Sequence, residues 1–269
     1  MARTFFLVFA ALLLFSSYAI AERPCGVYFT KIGCPVCAKV DPVFLGKWVV
    51  ERPDAAVIEY VFASWYEENA VLMGEYNLSY GTGGSVPLVI KSEETNWAGI
   101  PGFATDEDIY NMLDQTFGNG PNQCLLKDKS VSFDDLDLNE LPNKPKIWAG
   151  NRLLVKQGNG NVDSAFLKEL LFSENLGAVL AASGYGLREV KAKPAPYSGG
   201  EIPFAQAVEI EGSWLLELRE AIELPENVLP MEPNGNGDNV PADNPFIVPV
   251  AIILICLAAL VVFIKVKSR

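Results

Sequence analysis

Between Pro24 and Gly118, short β-rich runs alternate with stretches of helical spacing. Gly26 to Ile32 reads as a strand. From about Pro35 to Glu51 the apolar set Val40, Phe44, Leu45, Trp48 and Val49 keeps a helical period. Ala55 to Ala63 is an apolar run of strand length, and Glu67 to Leu78 predicts a second helix. Val86 to Lys91 is a third strand, and Glu93 to Ile100 a turn with a shorter fourth. Thr105 to Phe117 is a helix: Thr105 suits the N-cap, and Asp106, Glu107 and Asp108 fill the first turn, where the helix dipole favours acids. The order β-α-β-α-β-β-α predicts a central mixed four-stranded sheet with helices on both faces.

Residues 119–224 carry a weaker pattern. Lys146 to Lys156 predicts a hairpin turning at Gly150-Asn151, Asp163 to Phe172 a short helix, and Ala207 to Leu218 a hairpin around Glu211-Gly212. These imply a smaller α+β domain or appendage. Residues 225–245 are rich in Pro, Asn, Gly and acids and predict a flexible linker, with a reach on the order of 25 Å as a coil.

Two apolar runs at the ends set the compartment. Arg3, the run Phe5 to Phe15 and the ending Ala19-Ile20-Ala21 read as a secretory signal peptide over 1–21. The run is short for a membrane span, although an uncleaved anchor is the alternative. Residues 246–264 are uncharged and long enough to cross a bilayer as one helix, and Lys265, Lys267 and Arg269 follow at once. Basic flanks stay cytoplasmic, so the expectation is a single-pass membrane protein with its ectodomain outside and residues 265–269 as a cytoplasmic tail.

The net charge of −12 argues against nucleic acid as a partner. The chain has no histidine, which removes the commonest proton shuttle and the usual zinc ligand. Chemistry then falls to Cys, carboxylates or Lys. There are five cysteines. Cys256 lies in the apolar run 246–264 and reads as an inert residue. Cys34 and Cys37 form C-P-V-C between a predicted strand and a predicted helix. At a helix N-terminus unpaired N–H groups stabilise a thiolate, so Cys34 is the expected nucleophile and Cys37, one turn further in, the resolving thiol. Pro35 suits the first turn because it has no N–H to lose. Lys31 and Lys39 are near in sequence and read as ordinary solvated lysines.

Residues 24–118 resemble the thioredoxin superfamily. The resemblance rests on Cys34-Pro35-Val36-Cys37 after a strand, on Pro42 five residues past Cys37, and on Val86-Pro87 opening a strand. It implies a thioredoxin-like fold over 22–118 and disulfide exchange with exported proteins, with no cofactor. It further implies a cis bond at Pro87 and a substrate chain lying along the Val86 backbone. A membrane thiol-transferring partner is a further expectation. The family carries a buried Asp six residues before the first cysteine; this chain has Tyr28 there. Glu59, inside the second strand, is a candidate replacement.

Cys25 and Cys124 flank this unit and are expected to form a structural disulfide in an oxidising compartment; the alternative is a relay to Cys34–Cys37. A competing reading of the whole chain is a non-catalytic thioredoxin-like scaffold for binding peptides or proteins. A metal site on two thiolates without His is disfavoured. Asn77-Leu78-Ser79 matches a glycosylation sequon, and Gly81 to Gly84 lacks the following Lys of a phosphate loop.

Overall fold

The structure is a computed structural model, and it describes residues 22–92, 95–100, 104–119 and 122–230. The signal peptide, the end of the linker, the apolar run 246–264, the basic tail and Cys256 lie outside the described residues. Among the described residues no helix is long and apolar enough to cross a membrane.

The first strands are β1 (Cys25–Lys31), β2 (Ala56–Phe62), β3 (Leu88–Ile90) and β4 (Asn96–Ala98). They stand in the order β2-β1-β3-β4, with β1 parallel to β2 and antiparallel to β3. The sheet does not stop at four strands. Its β2 edge pairs with β7 (Lys146–Ala149), and β8 (Arg152–Lys156), β13 (Trp214–Leu218), β12 (Gln206–Ile210), β9 (Leu187–Val190) and β14 (Leu229–Pro230) follow. The result is one ten-stranded mixed sheet. The segment 119–224, expected as a separate domain or appendage, supplies the strands that cover the β2 edge. An unpaired edge strand exposes a row of N–H and C=O groups, and this pairing removes one. Two small hairpins stand outside the main sheet: β5 (Gln123–Leu125) with β6 (Ser130–Ser132), and β10 (Ala195–Tyr197) with β11 (Gly200–Ile202).

Strand alternation sorts the core onto two faces. One face carries Val27, Phe29, Ile58, Ile147, Leu154 and Leu216 and is covered by α2 (Glu68–Tyr80), α4 (Ser164–Phe172) and α5 (Leu176–Ala182). The other carries Tyr28, Val57, Val89, Trp148 and Leu153 under helix α1, helix α3 (Asp106–Gly118) and the β10–β11 hairpin. Helix α3 is capped by Thr105, as expected, and the cap is a full capping box: the Thr105 hydroxyl accepts the Asp108 N–H, and the Asp108 carboxylate accepts the Thr105 N–H at 2.8 Å.

Helix α1 has three parts: an α-helical start Cys37–Asp41, a π-helical turn Pro42–Trp48 and an α-helical end Val49–Glu51. Pro42 has no N–H to continue the α-helical ladder, and the widened turn begins there. Arg219, just past β13, meets that turn: its guanidinium donates to the Gly46 carbonyl at 3.0 Å and to the Leu45 carbonyl.

Cys25 and Cys124 are joined by a disulfide, and both are fully buried. It ties β5 to the start of β1 and closes a sequence separation of 99 residues. Replacing both cysteines by Ala is expected to cost about 2–5 kcal/mol in urea unfolding, since the open chain regains the loop entropy. A change below about 1 kcal/mol would show that packing alone holds β5 against β1.

Candidate active site

Strand β1 ends at Lys31 and helix α1 begins at Cys37, so the intervening turn carries Cys34 at one end of the sheet. Gly33 takes a positive φ of 79°, which lets the chain reverse tightly before Cys34. The Cys34 N–H reaches back to the Lys31 carbonyl at 3.2 Å, and the Ala38 N–H bonds the Cys34 carbonyl at 3.0 Å. Cys34 is half-buried and Cys37 is fully buried. Both are free thiols.

The Cys37 N–H points at Cys34 Sγ at 3.2 Å, a bond that a thiolate accepts. On the other side Cys34 Sγ lies 3.9 Å from the Val86 carbonyl. The Val86–Pro87 peptide is cis, and this turn leads directly into β3. Pro35 is exposed beside the thiol, while Pro42 starts the π turn below it. Burial, then the bond to Cys34, push the Cys37 thiol up to about 12. Cys37 therefore needs a base to become a nucleophile at neutral pH.

A buried acid stands one helical turn from Cys37. Asp41 is fully buried on the face of α1 that packs on the sheet. Its carboxylate accepts the Tyr28 hydroxyl, the Thr30 hydroxyl at 2.9 and 3.1 Å, and the Ser198 N–H at 3.1 Å. Burial pushes its pKa up to about 6; the Tyr28 bond holds it down, and the nearby Glu59 charge raises it. Tyr28 is in turn driven well above its ordinary range by burial and the Asp41 charge. The Thr30 hydroxyl that bonds Asp41 also counts among the groups that hold the Cys37 thiol down.

Glu59, the acid expected from sequence, is also buried, but it sits across the β1–β2 pairing from Tyr28. Its carboxylate accepts the Trp148 indole N–H at 2.6 Å and lies 3.6 Å from the Lys146 ammonium. Tyr28 and Thr30 converge on Asp41, so Asp41 is the acid nearest in the bonding network to Cys37. The sequence carried a signal for it: Cys37, Asp41, Phe44, Leu45 and Trp48 share one helical face, so an acid at 41 had to be buried. Ser198 had no such signal, because it reaches the site from 164 residues away.

The disulfide Cys25–Cys124 sits at the opposite end of β1 from Cys34. Seven strand residues, on the order of 20 Å, separate the two, so a direct relay is excluded in this arrangement. Of the tryptophans, Trp48, Trp148 and Trp214 are core; Trp65 is half-exposed, with the Lys31 ammonium 4.9 Å from its ring centroid.

The raised Asp41 value makes a stability prediction. The folded protein holds this proton more tightly than the unfolded chain, whose ordinary value is 3.8. Stability from this group is therefore complete below pH 3.8 and falls as pH rises towards about 6. Relative to Asp41→Asn, which carries no titrating charge there, wild type is expected to lose up to about 3 kcal/mol between pH 4 and pH 7. Denaturant unfolding of both proteins across that range measures it; a constant difference would mean that Asp41 does not titrate there.

Among known proteins, no family model, no curated protein and no solved structure matches this chain.

Proposed function

We propose that this chain is a thioredoxin-like thiol–disulfide oxidoreductase that exchanges disulfides with exported proteins. The observation that carries the reading is a half-buried thiol that accepts the N–H of the first helical residue, itself a buried cysteine, with a buried acid one helical turn further on. The strand order β2-β1-β3-β4 and the cis Val86–Pro87 peptide beside Cys34 agree with the thioredoxin resemblance.

In the reducing direction the Cys34 thiolate attacks one sulfur of a target disulfide. That S–S bond breaks, a mixed disulfide forms, and the first target sulfur leaves as a thiolate that takes a proton from water. Cys37 then gives its proton to Asp41 through the Thr30 hydroxyl and attacks Cys34 Sγ. The second target thiolate leaves, and the product is a reduced target with a Cys34–Cys37 disulfide. Oxidation of a target dithiol is the same sequence reversed. Val86 presents its carbonyl beside Cys34 and is suited to pair with an extended substrate backbone.

The reading of the compartment is supported by the signal-like and apolar end segments of the sequence and by the buried Cys25–Cys124 disulfide, a feature of oxidising environments. The proposed setting is the outer face of the cell membrane, with the ectodomain anchored by residues 246–264 and served by a membrane thiol-transferring partner.

Equilibrating the full-length protein in detergent against reduced and oxidised glutathione, followed by alkylation and mass measurement, tests the reading. A reversible two-electron transition confined to Cys34–Cys37 is expected, and Cys37→Ser should accumulate a mixed disulfide at Cys34. A pair that never exchanges at any glutathione ratio overturns the enzyme and leaves the binding scaffold. The resolving step should accelerate as pH rises through about 6, where Asp41 ionises. In Asp41→Asn that inflection should vanish, with the step slowed roughly 10²-fold at pH 7. An unchanged pH profile would remove Asp41 from the mechanism.

A further inference from the structure

We propose that Ser198, at the tip of the β10–β11 hairpin, is a positioning residue of the dithiol site; the inference rests on the oxidoreductase reading and deepens it. The hairpin comes from the part of the chain expected as an appendage, yet its tip docks on the first turn of helix α1.

Three hydrogen bonds converge on this residue. The Ser198 hydroxyl accepts the Cys34 N–H at 3.2 Å and donates to the Lys31 carbonyl. Its backbone N–H donates to Asp41 at 3.1 Å. The hydroxyl thus ties together both ends of the turn that holds the nucleophile, and the same residue's amide holds the acid that serves the resolving thiol.

Helix α1 has no cap of its own. Val36, the residue before it, makes no side-chain cap bond, and residues 32–36 contain no Ser, Thr, Asp or Asn. Such residues normally satisfy the first N–H groups of a helix. The Cys37 N–H falls to Cys34 Sγ, and Ser198, distant in sequence, takes the Cys34 N–H in the turn just ahead of the helix.

Gly199 makes the approach feasible. A Cβ there would stand 2.8 Å from the Ala38 carbonyl oxygen and 2.9 Å from the Tyr197 ring. Only glycine lets the tip come this close to α1. Behind the tip, Ala195 and Ile202 are buried in the same core cluster as Val40 and Phe44, so the hairpin is anchored.

The consequence is kinetic and redox-linked. With the 31–34 turn held at both ends, Cys34 Sγ stays under the Cys37 N–H. Without the hydroxyl the sulfur samples other positions and the thiolate loses part of that bond. Thiolate stabilisation favours the reduced pair, so its loss favours the disulfide.

The test uses the full-length protein in detergent, with Ser198→Ala, Ser198→Thr and Gly199→Ala beside wild type. Alkylation of Cys34 in the reduced proteins is followed by peptide mass mapping, and the glutathione equilibrium is measured in parallel. Ser198→Ala is expected to slow Cys34 alkylation at pH 7 by about three- to tenfold and to shift the equilibrium towards the disulfide by a similar factor, up to about 30 mV. Ser198→Thr keeps the hydroxyl and should stay within about twofold of wild type. Gly199→Ala pushes the whole tip away from Ala38, so it should reproduce the Ser198→Ala effect and also slow the resolving step. A Ser198→Ala protein that melts lower but keeps wild-type alkylation and equilibrium overturns the proposal, as does a Ser198→Thr protein that behaves like Ser198→Ala. If wild type itself fails to exchange with glutathione, the oxidoreductase reading falls, while the alkylation rates still decide the role of Ser198.

Discussion

The carboxylate of Asp41 is buried under the first turn of helix α1, and much of the surrounding structure answers to it. An ionised carboxylate out of water is costly unless hydrogen bonds replace its hydration. Three groups from two parts of the chain do so: Tyr28 and Thr30 from β1, and the Ser198 amide from the β10–β11 hairpin. Each donor has to be delivered to a fixed point. The register of β1, the angle of α1 and the docking of the hairpin are therefore linked. The compensation is incomplete, and the pKa near 6 records the part that burial wins. A carboxylate poised near neutrality beside a thiol pushed up to about 12 is suited to moving a proton.

The same helix is held a second time lower down. Pro42 interrupts the α-helical ladder, and the wider turn that follows leaves the Leu45 and Gly46 carbonyls to Arg219. Arg219 also lies over the Trp148 ring, 5.4 Å from its centroid, on the strand next to β2. Residues beyond 119 thus grip the cysteine-bearing helix at its start and at its middle. The continuous sheet makes this possible. Because β7 pairs with β2, Trp148 and Lys146 meet one oxygen of Glu59, a second buried acid one strand away from Tyr28.

A buried acid with a raised pKa, such as Asp41, weakens a fold as pH rises. The two acids differ in their partners. Glu59 accepts from an indole and faces an ammonium at 3.6 Å. Asp41 has only neutral donors and stands beside the resolving thiol. That contrast in partners is the physical reason for the proposal that Asp41 takes the proton.

The strands and helices of residues 24–118 were legible because their apolar periods differ clearly, 2 against 3.6, and because Thr105 and Asp108 cap a helix locally. The hairpins at Gly150 and at Glu211-Gly212 were legible for the same local reason: both turns require positive φ. The C-P-V-C spacing predicted Cys34 at a helix start and Cys37 a turn inside; the helix instead begins at Cys37, and Cys34 stands in the turn before it with its Sγ accepting the Cys37 N–H. Two things were decided only by tertiary structure. The segment after 119 joined the first sheet instead of standing apart, because strand pairing across β2 and β7 depends on backbone hydrogen bonds, which carry no side-chain signature. Ser198 reached Cys34 and Asp41 across more than 150 residues because hairpin docking depends on the shape of a surface that exists only once α1 is packed. The local code of a sequence names the two thiols; which distant groups meet them is set by packing.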